Sequence, residues 1–224
     1  MAYQRHDDTY EDNKEDDVQR RVGRIIFLIL LLCGIAYSTS KAQIQHSAFF
    51  APSATHSAFA GVSAQQRVSF VGASFGWVMD FGGHMLVLGA SYETMMRSIS
   101  SGLPPGVIPL GTPMPYLDMN YGGMTIEYIR RVSSVIDVSC GVLLAGAGTT
   151  LTVREDIPNK PVYFSKDWNV WIPHVSIQYG LTSWCKAECK LSYRYVTGRG
   201  SQYTLQPTDL QGTAIGIAFR FGRY

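Results

Sequence analysis

From residue 71 onward the chain alternates apolar residues with small or polar ones at a period of two. Val71, Ala73, Phe75, Trp77 and Met79 oppose Gly72, Ser74 and Gly76, and Leu86, Leu88, Ala90 and Tyr92 oppose Val87, Gly89, Ser91 and Glu93. Val138, Cys140, Val142 and Leu144 oppose Asp137 and Ser139, while Trp171, Val175, Ile177 and Tyr179 oppose His174, Ser176 and Gln178. In CKAECKLSYRY, residues 185–195, the row Cys185, Ala187, Cys189, Leu191, Tyr193 and Tyr195 faces away from Lys186, Glu188, Lys190, Ser192 and Arg194. The last segment sets Thr213, Ile215, Ile217, Phe219 and Phe221 against Ala214, Gly216, Ala218 and Arg220. Successive side chains of a strand point to opposite faces, so each segment predicts a strand with one apolar face. Residues 116–130 shift phase: Leu117, Met119 and Tyr121 are apolar before Gly122-Gly123, Met124, Ile126 and Tyr128 after it. One extra residue at a glycine pair predicts a β-bulge. A weaker strand over about 47–58, with Pro52 inside it, completes the set. No stretch has helical periodicity, and the chain reads as all-β.

The connectors sort by length. Asp80–Gly83, Arg131–Val135 and Leu181–Ser183 are tight, whereas Ile99–Pro115, Val153–Asp167 and Gly198–Thr208 are long and rich in Pro, Gly or charge. Strict alternation of short and long connections is the habit of an outer-membrane barrel, with turns on the periplasmic side and loops outside. With both chain ends periplasmic the strand number must be even, and the pattern predicts an eight-stranded antiparallel transmembrane β-barrel. Periodicity does not say which face is inside. Small Gly, Ser and Ala rows suit a narrow interior, and Trp171, Tyr179, Tyr193 and Tyr195 sit where aromatic girdles do. The apolar rows are therefore expected to meet lipid; a secreted soluble barrel is the alternative.

The N-terminus supports export. Ile25–Tyr37 is an uncharged run too short to span a bilayer as a helix, preceded by Arg20, Arg21 and Arg24 and followed by Ser40-Lys41-Ala42. That is a signal-peptide pattern. Residues 1–42 are expected to be a leader and signal peptide cleaved before Gln43, and residues 43–224 the barrel. The acidic stretch from Asp7 to Asp17 is an unusual start for a signal and is consistent with translation beginning nearer Val22. The chain carries 19 Lys+Arg against 17 Asp+Glu, a net charge of +2. That balance is too mild to imply nucleic acid.

With the apolar rows outward, charged residues must point into the barrel. Glu93, Glu127, Asp137, Lys186, Glu188, Lys190 and Arg194 form the expected lumen charge network, because buried charges need partners. Glu127 is expected to pair with Lys186, Lys190 or Arg194, the bulge being what brings it inward. Cys140, Cys185 and Cys189 are expected to face lipid. Cα atoms four strand residues apart lie about 13 Å from each other, too far for a Cys185–Cys189 bridge. No metal or cofactor site is expected.

GASFGWVMD at 72–80, YGGMTIEY at 121–128, LLAGAG at 143–148, LSYRYVTG at 191–198 and DLQGTAIGIAFRFGRY at 209–224 together resemble a family of small, functionally unassigned outer-membrane β-barrel proteins of Bacteroidota. The resemblance implies an outer-membrane barrel of a Gram-negative cell and brings no catalytic residues. Tyr224 departs from the usual terminal pattern, being out of phase with Phe219 and Phe221. Three functions follow. The first is a structural or interaction barrel with a filled lumen, in contact with outer-membrane lipid and lipopolysaccharide and serving a larger envelope assembly such as a secretion or uptake complex. Its candidate docking loop, 98–115, exposes Val107, Ile108 and Leu110. The second is a narrow pore for ions or small solutes. The third is an enzyme modifying lipid or lipopolysaccharide, for which no Ser-His-acid set can be placed; the chain reads as a non-enzyme.

Overall fold

The computed structural model describes residues 45–59, 67–96, 115–153, 162–198 and 205–222; the candidate loop residues Val107, Ile108 and Leu110, the leader and Tyr224 lie outside them. Strands β1 (Gln45–Ala58), β2 (Arg67–Asp80), β3 (His84–Met95), β4 (Pro115–Arg131), β5 (Ile136–Val153), β6 (Val162–Thr182), β7 (Cys185–Thr197) and β8 (Gly212–Gly222) follow one another along the chain. Each pairs antiparallel with its sequence neighbours, and β8 pairs with β1 to close the barrel. Tight turns join β2 to β3, β4 to β5 and β6 to β7 at one end of the barrel, the turn end, where β1 begins and β8 stops. The first of these turns runs through Gly82 and Gly83 at φ 79° and 96°, a left-handed conformation that a Cβ disfavours. The remaining connections leave from the other end, the loop end. One of them contains a 3-10 helix, Pro207–Leu210.

The wall is apolar outside. Phe50, Phe75, Trp77, Leu88, Met124, Val175, Ile177, Leu191, Ile215, Ile217 and Phe219 are all exposed, and they occupy the outward positions of their strands. Their opposite numbers are small or polar. A water-soluble barrel keeps its apolar row inside; here the exposed row is the apolar one, which only a lipid surround stabilises. Trp184 stacks on Phe221 at the turn end, with ring centroids 5.9 Å apart. Tyr193 and Tyr195 lie together nearer the loop end, 4.5 Å apart. Strands of 11 to 21 residues exceed the 9–11 needed to cross a bilayer. The surplus lies in β4, β5 and β6 at the loop end. There outward positions turn polar, with Asn120 and Asp167 flanking Gly148 on one rung.

The expected bulge at Gly122-Gly123 does not form. β4 pairs residue for residue with β3 from His84↔Arg130 to Thr94↔Asn120 and with β5 along its whole length, without a shift. Glu127 therefore shares a face with Leu117, Met119 and Tyr121, and all four are buried inside the barrel. The change of phase in the sequence marks a change in the interior instead. Towards the loop end the inward row is apolar; beyond Gly123 it passes through Thr125 and buried Glu127 before Ile129 and Arg131 at the turn end.

Candidate functional site

The interior is layered, and its layers follow from which inward rows meet at each height. At the loop end Phe59, Val68, Phe70, Leu117, Met119, Leu151, Trp168, Val170, Val196, Leu205 and Leu210 form one buried apolar cluster, a plug across the barrel mouth. Leu205 and Leu210 come from the segment between β7 and β8, so the 3-10 helix is folded into that plug. Arg194 reaches it from below. Its Nε donates to the Leu210 carbonyl at 3.0 Å and its Nη2 to Ser57 Oγ at 2.9 Å. Its guanidinium lies over the rings of Phe59 and Phe70 at 4.7 and 5.0 Å. Of the three cations in the expected network, Arg194 alone has no carboxylate among its described hydrogen-bond and ion-pair partners.

Below the plug lies a chamber of about 40 Å³ whose lining includes Ser53, Thr55, Ser74, Ser91, Thr125 and Ser192. At roughly 10–15 Å³ per water, it has room for about three. Glu93 sits at its edge, accepting a hydrogen bond from Tyr121 Oη and lying 3.8 Å from Lys190 Nζ.

The floor of the chamber is the densest charge cluster. Arg220 Nη2 donates to both oxygens of Glu127, at 2.9 and 2.7 Å, while its Nε and Nη2 donate to Glu188 at 2.7 and 3.0 Å. Gln178 adds a longer bond to Glu127, 3.4 Å. Arg220 is therefore the cation that Glu127 meets, not Lys186, Lys190 or Arg194. Lys186 pairs with Asp137 at 2.5 Å, and Arg131 lies 3.9 Å from the same carboxylate. Arg220 is the residue that sequence reasoning missed. The signal was present: it continues the inward row Ala214, Gly216, Ala218, and a long cation ending a row of small residues has the interior to itself. Phe49 lies 4.9 Å beneath the guanidinium and belongs to a smaller apolar patch with Val78, Met85, Val87 and Ile129. Gly76 makes room for it, since a Cβ there would stand 2.6 Å from the ring.

The described histidines are dispersed. His174 is buried beside the chamber, His84 bonds Tyr128 Oη, and His46 accepts from Trp77 Nε1 at 3.2 Å. His56 meets Ser69 Oγ at 3.0 Å on the outer wall near the loop end. Among the described residues it is a Ser–His pair joined by a hydrogen bond, and no carboxylate is among its described hydrogen-bond partners. Cys140 and Cys189 are exposed on the lipid face, but Cys185, expected there too, is buried. It opens β7 at the turn end, opposite Phe221.

The inverted wall and the closed eight-stranded ladder define an outer-membrane-type β-barrel. No family model and no curated protein matches the sequence. Among solved structures, Neisserial surface protein A is similar at 8% identity, covering 80% of this chain and 98% of that one at a TM-score of 0.50. The Yersinia pestis attachment invasion locus protein Ail is similar at 9% identity, 79% and 97% coverage and a TM-score of 0.49. The N-terminal barrel domain of Pseudomonas aeruginosa OprF is similar at 10%, 80% and 99%, and 0.47. At such identities what is shared with Neisserial surface protein A is the fold.

Proposed function

We propose that this protein is a structural or interaction barrel of the outer membrane whose lumen is filled by its own side chains and passes no solute. It serves a larger envelope assembly, such as a secretion or uptake complex, in a Gram-negative cell of Bacteroidota. Its wall meets lipid and lipopolysaccharide, and residues 1–42 are a removable leader and signal. The observation that carries the filled lumen is the Glu127–Arg220–Glu188 bridge beneath the apolar plug. The two barriers lie in series, one ionic and one hydrophobic. Eight strands leave an interior that side chains fill, and β1 begins at Gln45, just past the expected cleavage point.

A narrow pore is the second reading, favoured by the Ser- and Thr-lined chamber between those barriers. Planar-bilayer recording separates the two. The filled barrel gives no steady unitary current, whereas a reproducible ohmic conductance from the unmodified protein would establish the pore. Purification from native membranes, with identification of copurifying proteins, tests the assembly role; a barrel recovered alone under mild detergent would count against it.

A further inference from the structure

Two prolines interrupt the barrel, and they bracket one hairpin. β1 pairs with β8 at Phe50↔Phe221 and again at Ser53↔Ala218, but not at the two rungs between, where Ala51 lies opposite Arg220 and Pro52 opposite Phe219. β6 pairs with β7 at Trp171↔Tyr195 and again at His174↔Ser192, with a similar gap where Ile172 lies opposite Arg194 and Pro173 opposite Tyr193. Proline has no N–H to donate, and inside a sheet it leaves the facing carbonyl without a ladder partner. In hydrocarbon no water replaces that donor. The ladders β1–β2, β2–β3, β3–β4, β4–β5 and β7–β8 run without a mid-strand gap. The hairpin β7–β8 is thus fully paired with itself and incompletely paired with both neighbours.

The same hairpin carries Lys186, Lys190, Arg194 and Arg220, and each reaches to a group on another part of the wall. Lys186 goes to Asp137 on β5, Lys190 to Glu93 on β3, Arg220 to Glu127 on β4 and Arg194 to Ser57 on β1. The two arginines stand at the two broken rungs. A buried guanidinium stands at each: Arg220 ties the hairpin to β4 across the lumen, and Arg194 ties it to β1 across the β1–β8 seam.

We infer that β7–β8 is a movable panel of the barrel wall: it parts from β1 and β6 as a unit, opening the chamber sideways to the lipid, and Arg194 and Arg220 latch it shut. Ser53, Ala218, His174 and Ser192, on the intact rungs beside the gaps, all line the chamber, so parted seams lead directly into it. The panel is a property of the wall and holds whether or not the barrel joins a larger assembly.

Hydrogen exchange of the protein in lipid nanodiscs tests this. The amides of Ile215–Ile217 and Cys189–Leu191, beyond the broken rungs, should exchange faster than those of Val138–Val142 on the β4–β5 side. Replacing both prolines, Pro52→Ala with Pro173→Ala, restores the donors. It should slow the hairpin amides about tenfold, the weight of one or two ladder bonds, while leaving β4–β5 unchanged. In a cysteine-free background carrying Ser192→Cys, labelling by a membrane-soluble maleimide should slow by a similar factor on the same two replacements. Hairpin amides as protected as those of β4–β5 in the unmodified protein would overturn the panel. So would proline replacements that leave both exchange and labelling where they were.

Discussion

Replacing Arg220 by methionine removes the centre of the lumen charge cluster while keeping most of the side-chain volume. Arg220, Glu127 and Glu188 are 5%, 1% and 5% exposed, so both carboxylates would be left buried, facing each other without the guanidinium that bridges them. The four contacts that Arg220 makes with them are served by three N–H protons, one on Nε and two on Nη2, and would total about 4.5–9 kcal/mol at 1.5–3 per proton. That is an upper bound, because deleting the guanidinium also removes its own desolvation cost. Measured losses for one partner of a buried pair are about 3–5 kcal/mol, and two stranded carboxylates place Arg220→Met at the upper end. Glu127→Gln should cost less, since Arg220 keeps Glu188. The informative variant is the triple, Arg220→Met with Glu127→Gln and Glu188→Gln. It removes the whole cluster, and replacing a complete buried ionic set is often close to neutral. Urea unfolding in lipid vesicles, read as loss of the heat-modifiable band on gels, ranks the three. If Arg220→Met lies within about 1 kcal/mol of wild type, or the triple variant is no more stable than the single one, the cluster does not hold the barrel as described.

A Cβ at Gly72 would stand 2.2 Å from the Tyr92 carbonyl oxygen and 2.7 Å from Glu93 Cγ. Gly72→Ala should therefore destabilise by at least about 1–3 kcal/mol in the same assay, and an unchanged midpoint would place β2 and β3 differently. Mass spectrometry of the protein from outer membranes should find Gln43 first; an intact Ile25–Tyr37 segment would refute cleavage. His56→Ala and Ser69→Ala should leave the lipid composition of the host membrane unaltered, because no described carboxylate orients His56. An acyl-ester hydrolysis lost in either variant would instead make this pair a catalytic one.

The wall was legible because lipid imposes one rule on every strand. Phe75, Trp77, Leu88, Ile177, Leu191 and Ile217 each sit on the row that alternation assigns them, and no partner elsewhere in the chain has to be known. Loop lengths carried the rest, since short and long connections sort to the two ends of a barrel whatever fills it. The interior obeys no such rule. Whether Glu127 meets Lys190 or Arg220 depends on the height at which β4 and β8 face each other across the lumen, and height is set by stagger around the closed sheet. Alternation along a single strand carries no information about stagger, so Lys186, Lys190 and Arg194 were natural partners on charge alone. Arg220, at the far end of the chain, was passed over.

The glycine pair in β4 shows where binary patterning gives out. An apolar residue on a membrane strand has two stable positions: against lipid, or inside a part of the lumen that is itself dry. Leu117, Met119 and Tyr121 take the second, packed in the plug with Phe70 and Leu143, while Met124 and Ile126 on the other face take the first. A bulge at Gly122-Gly123 and a regular strand crossing from a dry layer to a charged one predict the same string of letters. What separates them is the neighbouring strands. β5 offers Leu143, Ala147 and Leu151 inward at the loop end and Asp137 and Ser139 inward at the turn end, and β6 runs from Trp168 and Val170 to Ser176 and Gln178. Three adjacent strands that change inward character at the same height describe a layered lumen, whereas a bulge would change one strand alone. The apolar cluster at the loop end and the charged floor beneath it follow from that layering.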